Sequence, residues 1–443
     1  MLWFQKKNKT DQNNDREHTT EYSAGSEDSF VDKKEFGRKD CLENLDEVLT
    51  SKSKGTVLKL YIENFKRLNQ VFGYLYCETL LTKIIRYLQR ETGYVVYRYI
   101  GVEFIIIMED CPHGQAVSIA ENIIERFDHV WKVEDTDCLC SAQIGLCSYP
   151  GPAGTADELL KCLDAAITKA TELGQGQIIS YDSALHMEVM RKQIIGQYLR
   201  TALENREIEI RYRPTLHNEK GFFTRAEFYM RVFVQGIGMV GAGEFLPIAE
   251  DSGQIRLVEY FALHQVGRCI ASLIERGKEF DSISLPISSI LLLQEDFLSE
   301  VKSVIETYKI PEGKLAIEVT ENALTTAYLT INSMMQELEA LGVELILNDF
   351  GTGYSALNLL KELEFDILKL DGSFVSGAAA EGYKSDVILR NIIRMADELY
   401  MTVLCEGLET AGQVERLNTF GCTLAQGYYF AQPMPAEAFE AFV

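Results

Sequence analysis

Apolar and polar positions between residues 36 and 182 repeat in the patterns that strands and helices require. The run Val57–Ile62 is typical of a buried strand, and Cys77–Leu88 places apolar residues at helical spacing. The other predicted elements are two strands around a tight turn at Gly101, a third strand and two helices: Tyr94–Tyr99, Glu103–Met108, Ala142–Cys147, Gln115–Phe127 and Ala156–Leu173. Together these elements predict an α/β sandwich domain.

From residue 206 to the end, strand patterns alternate with helical patterns. The predicted strands are Glu209–Arg213, Thr224–Val232, Ser282–Ile287, Leu315–Thr320, Val343–Asn348, Ile367–Leu370, Thr402–Cys405 and Ala425–Phe430. Eight strands with intervening helices favour a (β/α)8 TIM-like barrel, and an open, doubly wound sheet is the alternative. The fold class is therefore α/β, with a sandwich followed by a barrel.

Two segments lie outside these domains. Residues 1–35 are polar and charged with almost no apolar periodicity, so we expect a disordered tail. Residues 183–205 have a helical pattern and are predicted to form a linker helix between domain 36–182 and domain 206–443.

Composition narrows the class of partner. The net charge of −23 disfavours nucleic acids and anionic membranes, although one anionic ligand can still bind where basic residues or a metal gather. No apolar run approaches the roughly 18 residues of a membrane span, and the ten cysteines form no CxxC pair. We therefore expect a cytoplasmic protein with reduced, buried thiols.

Three motifs in domain 36–182 occur in the order seen in GGDEF-type diguanylate cyclase domains. Tyr61–Asn69 is similar to the motif Asp-x-Asp-x-Phe-Lys-x-x-Asn, and Arg98–Phe104 is similar to the signature Arg-x-Gly-Gly-Asp/Glu-Glu-Phe. Leu163–Gly174 resembles the helix near the end of that domain. The resemblance implies a GGDEF-like α/β sandwich from a bacterial signalling family.

The same motifs lack the groups that the cyclase reaction needs. By the resemblance, Tyr61 replaces a metal-binding Asp and Val102 replaces the signature acid, so that Glu103 alone remains. Ile100 replaces the first glycine, and a β-branched side chain resists the close ligand approach that glycine permits. We expect a folded domain that is not a diguanylate cyclase.

Residues 197–443, which include the barrel domain, resemble the EAL family of cyclic di-GMP phosphodiesterases over their whole length. The matching motifs are Phe245–Glu250, Glu318–Glu321, Asp349–Ser355, Leu368–Asp371, Glu406–Thr410 and Gln426–Tyr428. The resemblance implies an EAL-type barrel and therefore a tandem GGDEF–EAL chain in cyclic di-GMP signalling.

Acidic residues fall at the ends of the predicted barrel strands. Glu318, Asp349, Asp371 and Glu406 lie at or just past the carboxyl ends of successive strands, the face where such barrels build active sites. Converging carboxylates suit Mg²⁺ or Mn²⁺, and two such ions can activate water against a phosphodiester. Lys369 among them can orient the water and offset charge.

The resemblance also assigns roles residue by residue. It implies metal ligands at Glu227, Glu318, Asp349, Asp371 and Glu406, catalytic roles for Lys369 and Glu318, and ligand contacts by Arg231, Glu250, Asp349 and Gln426.

Several departures weaken the implied metal site. Pro286 stands at a metal-binding Asn and offers no side-chain ligand, and Asn348 stands at a metal-bridging Asp. Phe228 and Tyr229 are bulky replacements in the Glu-Ala-Leu triplet, and Arg213 replaces a Gln near the ligand. The guanidinium of Arg213 either faces outward or reaches the acids and partly replaces the missing metals.

Three functions remain open from the sequence. The first is a catalytically impaired GGDEF–EAL protein that acts as a cyclic di-GMP receptor or binds a partner protein. The second is a weak Mg²⁺- or Mn²⁺-dependent phosphodiesterase, and the third is a scaffold blind to nucleotide. We also expect a homodimer through the barrel, because Asp349–Leu360 resembles the EAL-family segment beside the usual dimer interface.

Overall fold

A computed structural model describes residues 36–51, 53–205, 207–326, 328–351, 360–361, 363–376 and 383–443. The tail predicted for residues 1–35 lies outside this range, as do residues 352–359 of the predicted dimer segment. The chain divides into two compact units that meet between Leu185 and His186. Within the described ranges, no helix is both long enough and apolar enough to cross a membrane.

The first unit has a mixed sheet covered by helices. Its helices are α1 (Arg38–Thr50), α2 (Phe65–Phe72), α3 (Tyr74–Thr92), α4 (His113–Phe127) and α5 (Ala156–Leu173). Its strands are β1 (Gly55–Ile62), β2 (Val96–Ile100), β3 (Glu103–Glu109), β4 (Trp131–Val133), β5 (Thr136–Cys138), β6 (Ala142–Tyr149) and β7 (Ile178–Ser180).

Strand β1 lies at the centre of the five-stranded sheet, whose order is β2-β3-β1-β6-β7. Its side chains alternate between two apolar cores: Leu58 and Leu60 belong to one, and Val57 belongs to the other. Because both faces are covered, the strand is an almost continuous apolar run. The sandwich predicted from the sequence is confirmed.

The second unit begins with a long helix and continues as a barrel. Its helices are α6 (Ser183–Asn205), which starts at the end of the first unit, α7 (Ala242–Asp251), α8 (Ile255–Glu275), α9 (Ser289–Leu292), α10 (Phe297–Tyr308), α11 (Glu321–Thr326), α12 (Tyr328–Ala340), α13 (Ser373–Ser376), α14 (Tyr383–Glu398), α15 (Ala411–Thr419) and α16 (Ala436–Glu440). Its strands are β8 (Ile208–His217), β9 (Phe222–Val234), β10 (Gly238–Gly241), β11 (Ser282–Pro286), β12 (Leu315–Thr320), β13 (Glu344–Phe350), β14 (Ile367–Leu370), β15 (Thr402–Cys405) and β16 (Leu424–Ala425).

Eight strands of this unit close into a barrel, since β8 pairs with both β9 and β16. The barrel prediction is confirmed and the open, doubly wound sheet is wrong. Strand β8 runs antiparallel to both of its neighbours, whereas the other seven barrel strands, β9 and β11 to β16, are parallel to one another. The short turn that joins β8 to β9 explains this direction: Gly221 has a φ of 75° and donates its amide to the His217 carbonyl.

The last strand is shorter than the predicted Ala425–Phe430. Strand β16 ends at Ala425, and the chain then turns at Gly427, where φ is 158°. A Cβ atom at Gly427 would lie 2.2 Å from the Leu408 carbonyl oxygen, so only glycine fits. The turn places Gln426 beside Cys405, whose carbonyl accepts the Gln426 amide at 2.9 Å.

Candidate functional site

Lys369 is the centre of the polar site at the carboxyl end of the barrel. It lies on β14 with only 1% of its surface exposed. Its Nζ atom is 2.9 Å from Glu318 Oε2, 3.2 Å from Glu227 Oε2 and 3.4 Å from Glu406 Oε2. Burial would lower the pKa of Lys369, but the three carboxylates outweigh burial and raise it. Lys369 is therefore a fixed positive charge.

Glu227 shares its carboxylate between two cations. Besides Lys369, the Arg213 guanidinium lies 3.8 Å from Glu227 Oε2. Burial would raise the pKa of Glu227, but Lys369 and Arg213 outweigh it and hold that pKa below its usual value. Of the two sequence interpretations of Arg213, the structure supports the one in which its guanidinium reaches the acids.

Glu318 is more deeply buried than Glu227, and its pKa is shifted in the opposite direction. Its Oε1 accepts a 2.5 Å hydrogen bond from Ser284 on β11, and its Oε2 faces Lys369. Burial raises the pKa of Glu318, and the nearby Glu227 charge adds to that increase. Glu227 and Glu318, which the family resemblance assigns to a metal ion, thus already contact donor groups of the protein itself.

Glu406 also belongs to a second group of acids, together with Asp349 and Asp371. Oxygen atoms of Asp349, Asp371 and Glu406 all lie within 4.8 Å of one another. Burial raises the pKa of Asp349 and of Glu406, whereas the Ser373 hydrogen bond to Asp371 lowers the pKa of that carboxyl. Because the pKa values of the neighbouring Asp349 and Glu406 carboxyls are both raised, a positive charge beside them would stabilise their ionised forms.

The main chain sets the spacing of these acids. Asp371 and Glu406 are followed by Gly372 and Gly407, and a Cβ atom on Gly407 would lie 2.8 Å from the Gly372 Cα. Gly407 also has a φ of 72°. The ends of β14 and β15 approach this closely only because both positions are glycine.

Asn348 supports an unusual backbone rather than presenting its oxygen to a ligand. Asp349 has a φ of 55°, a left-handed conformation, at an irregularity where β13 shifts register against β14. The Asn348 Oδ1 atom accepts the Asp349 amide at 2.8 Å. This local bond uses one of the two lone pairs of the side-chain oxygen at the position where the family resemblance places a bridging acid.

The residues fit one divalent ion better than two. Asp349, Asp371 and Glu406 offer the oxygen ligands that Mg²⁺ and Mn²⁺ prefer. By the family resemblance, a second ion would be held at Glu227 and Glu318, which already contact Lys369, together with Pro286, which has no side-chain donor, and Asn348. When bound, one ion would supply Lewis-acid stabilisation of a phosphoryl oxygen.

The three remaining predicted ligand contacts are spread over the site. Gln426 is 1% exposed and donates through Nε2 to the Arg213 carbonyl and to Thr215 Oγ1. Arg231 is half-buried on β9, with its guanidinium 5.8 Å from the centre of the Tyr229 ring. Glu250 lies at the surface on α7. The partial desolvation of its carboxyl, and then the Asp251 charge, raise its pKa.

One buried acid near the site was missed from the sequence. Glu259 on α8 is 3% exposed and accepts hydrogen bonds of 2.8 Å from both the amide and the hydroxyl of Ser288. It lines a cavity of about 130 Å³ together with Glu227, Tyr229 and Pro286. Burial raises the pKa of Glu259 to about 7. The sequence did contain a sign of this buried acid: Glu259 follows Ile255 by four residues and so falls on the apolar face of α8.

In the first unit, the retained acid Glu103 is bound by a lysine. Lys59 Nζ lies 2.9 Å from Glu103 Oε2 and 2.5 Å from Asp164 Oδ1, and Lys59 is 3% exposed. Ile100, at the position of the signature glycine, is 53% exposed. A protein cation thus occupies the neighbourhood of the only signature acid.

Comparison with family models identifies both units. The model of the EAL domain matches residues 197–433, more than half of the chain. The chain belongs to the EAL domain family. The model described as "Diguanylate cyclase, GGDEF domain" matches residues 37–177, so a GGDEF domain precedes the EAL domain.

Curated relatives have the same tandem arrangement over most of the chain. A bifunctional diguanylate cyclase/cyclic di-GMP phosphodiesterase, MucR of Pseudomonas aeruginosa, is 27% identical over 87% of this chain and 57% of its own length. The signaling protein YkoW of Bacillus subtilis is 30% identical over 87% of this chain and 49% of its own length. The chain spans about half the length of the curated relatives that it matches.

Solved structures agree with the fold. The PaMucR phosphodiesterase in complex with c-di-GMP is 28% identical, covers 55% of this chain and 99% of its own, and superposes with a TM-score of 0.53. The Vibrio cholerae LapD S helix-GGDEF-EAL structure, bound to c-di-GMP, is 19% identical with a TM-score of 0.60 over 88% of this chain and 93% of its own. The second likeness concerns the fold alone.

Proposed function

We propose that this chain is a cyclic di-GMP signalling protein whose EAL domain binds the dinucleotide without hydrolysing it at a physiological rate. One observation carries the proposal: Glu227, Glu318 and Glu406 all contact Lys369, while Pro286 and Asn348 leave too few free ligands for a second metal ion. In a two-metal site the two ions together stabilise the attacking and the leaving oxygens, so a single ion would support at most slow hydrolysis.

A binding role is supported by what the barrel retains. Arg231 and Gln426 remain at the positions that the family resemblance assigns to ligand contact, and the MucR phosphodiesterase structure is described as a c-di-GMP complex. The site also offers guanidinium donors suited to a phosphodiester. We propose that a partner protein reads the bound state, and that the protein is cytoplasmic and dimeric through the barrel.

The first domain has a structural or regulatory role in this proposal. Tyr61, Ile100 and Val102 replace groups that a cyclase needs, and Glu103 is paired with Lys59. We propose that this domain makes no cyclic di-GMP.

A weak, single-metal phosphodiesterase is the second candidate. The acids that favour it are Asp349, Asp371 and Glu406, whose oxygens lie within 4.8 Å of one another. These are sufficient for one Mg²⁺ or Mn²⁺ ion.

Calorimetry and product analysis on the full chain separate the candidates. Cyclic di-GMP is titrated in EDTA, in Mg²⁺ and in Mn²⁺, and the same mixtures are analysed for the linear dinucleotide. We expect binding heat and no product. Product formation that is lost in Glu318→Gln and kept in Glu364→Gln, an exposed control, would establish the phosphodiesterase instead. Absence of binding heat in every buffer would leave only the nucleotide-blind scaffold.

The dimer has its own test. Light scattering of the full chain should give a mass of twice 50.1 kDa. A mass of 50.1 kDa at high protein concentration contradicts the dimer.

A further inference from the structure

The antiparallel strand β8 brings a cation into the layer of acids. Arg213 and Glu227 are directly opposite each other in the pairing of β8 with β9, so their side chains share one face of the sheet. The Arg213 guanidinium lies 3.8 Å from Glu227 Oε2, and its charge also acts on Glu406. Arg213 thus faces acids from both groups of the site.

The guanidinium groups of Arg213 and Arg231 both lie near the ring of Tyr229. Tyr229 lies two residues after Glu227 on β9 and therefore on the same face. The Cζ atoms of Arg213 and Arg231 lie 5.3 Å and 5.8 Å from the centre of its ring. Stacking on an aromatic face restrains a guanidinium and leaves its N–H groups free to point at an anion.

Unpaired polar atoms remain around this arrangement. Arg213 Nε and Gln426 Oε1 are buried, and neither has a hydrogen-bond partner among the residues that the structure describes. Gln426 itself is 1% exposed and holds the Arg213 carbonyl through Nε2. Buried donors and acceptors without partners are uncommon in folded proteins, and here they indicate a place for a ligand or its bound water.

We propose that Arg213 is a specificity-determining residue that supplies the positive charge a divalent ion would otherwise supply, so that the phosphodiester of a cyclic dinucleotide binds without metal. The planar guanidinium can form paired hydrogen bonds to phosphate oxygens, and Arg231 lies near the same Tyr229 ring. The same charge opposes a dication near Glu227 and Glu406. The inference rests on the proposed function, because it explains how the receptor holds its ligand.

The test compares Arg213→Gln, Arg213→Lys and the wild type, with Arg394→Gln as a control for lost charge. Arg394 is an exposed arginine paired with Glu398 on α14. Calorimetry in EDTA measures cyclic di-GMP affinity, and a separate titration without nucleotide measures Mn²⁺ affinity. Circular dichroism melts establish that each variant is folded.

We expect wild-type affinity for cyclic di-GMP to be the same in EDTA and in Mg²⁺. Arg213→Gln should bind the dinucleotide about tenfold more weakly in EDTA, because it loses a phosphate contact of about 1.4 kcal/mol. It should bind Mn²⁺ about tenfold more tightly, because a repulsion of about the same size is removed. Arg213→Lys should keep the weak Mn²⁺ binding of the wild type, because it keeps the charge. Arg394→Gln should match the wild type in both titrations.

Equal Mn²⁺ affinities in the wild type and Arg213→Gln overturn the inference, as does a wild type that binds the dinucleotide only with Mg²⁺. Mn²⁺ binding by Arg213→Lys as tight as that of Arg213→Gln also overturns it, because charge would not be the cause. If the wild type binds no cyclic di-GMP in any buffer, the proposed function fails. The Mn²⁺ comparison still decides the role of Arg213 in that case.

Discussion

Replacing Glu259 by Gln should stabilise the protein at high pH and have little effect at low pH. The carboxyl group is buried on α8, and its pKa is about 7 in the fold against an ordinary 4.5. A raised pKa means that the folded state holds the proton more tightly than the unfolded chain. The stability contributed by that proton is complete below pH 4.5 and is lost as the pH rises through 7.

The size of the effect follows from the two pKa values. One pH unit is worth about 1.4 kcal/mol, so the interval from 4.5 to about 7 corresponds to roughly 3 kcal/mol in the free energy of unfolding. The Gln side chain has the shape of the protonated acid and can still accept a hydrogen bond from Ser288. The stability difference between Glu259→Gln and wild type should therefore grow from near zero at about pH 4 to roughly 3 kcal/mol at about pH 8.

Urea unfolding of the full chain, followed by far-UV circular dichroism across this pH range, measures the difference. The control is Glu275→Gln on the exposed end of the same helix, where no such pH dependence is expected. Hydrogen exchange at the Ser288 amide gives a local reading of the same effect. A difference that stays constant with pH, or a variant less stable than wild type at pH 8, would refute the reasoning.

Three further predictions concern the two candidate sites. The purified chain should make no cyclic di-GMP from GTP; product that disappears in Glu103→Ala would contradict this. Lys369→Met should destabilise the protein by about 3–5 kcal/mol, because it leaves buried carboxylates without their cation, and an unchanged melting temperature would show that the ion pairs contribute nothing. The triple change Arg213→Gln, Pro286→Asn and Asn348→Asp should tighten Mn²⁺ binding more than Arg213→Gln alone does, because it also adds a carboxylate and a carboxamide to the site. Any hydrolysis that it restores should return to background on adding Lys369→Ala, and unchanged Mn²⁺ binding would mean that these residues are wrongly placed.

The positions of the strands along the chain were largely predictable from the sequence because buried strands are short, apolar and β-branched. The pattern predicted Val57–Ile62, and the structure places β1 at Gly55–Ile62. Strand direction was not predictable in the same way: β8 and β9 have ordinary strand patterns, and only the turn at Gly221 makes them antiparallel. The helix α1 was also missed, because its mean hydropathy is low and only three of its residues, Cys41, Leu45 and Val48, are buried.

The acids of the site could be predicted in part because they follow strand ends. Asp371 and Glu406 come directly after β14 and β15, so barrel geometry alone brings them together. The division of the acids around Lys369 could not be predicted, since it depends on side-chain direction within each strand. The role of Asn348 was equally hidden, because its bond to the Asp349 amide exists only at an irregularity of β13.

The close approach of Gly372 to Gly407 has a consequence for how this protein can evolve. The spacing of Asp371 and Glu406 along the rim of the barrel is set by the contact between the Gly372 and Gly407 backbones. Exchanging a side chain beside the cleft, at Pro286 or Asn348 for example, would therefore leave the spacing of Asp371 and Glu406 unchanged. A gain or loss of metal affinity through such an exchange would not require the cleft to be rebuilt, as long as both glycines persist.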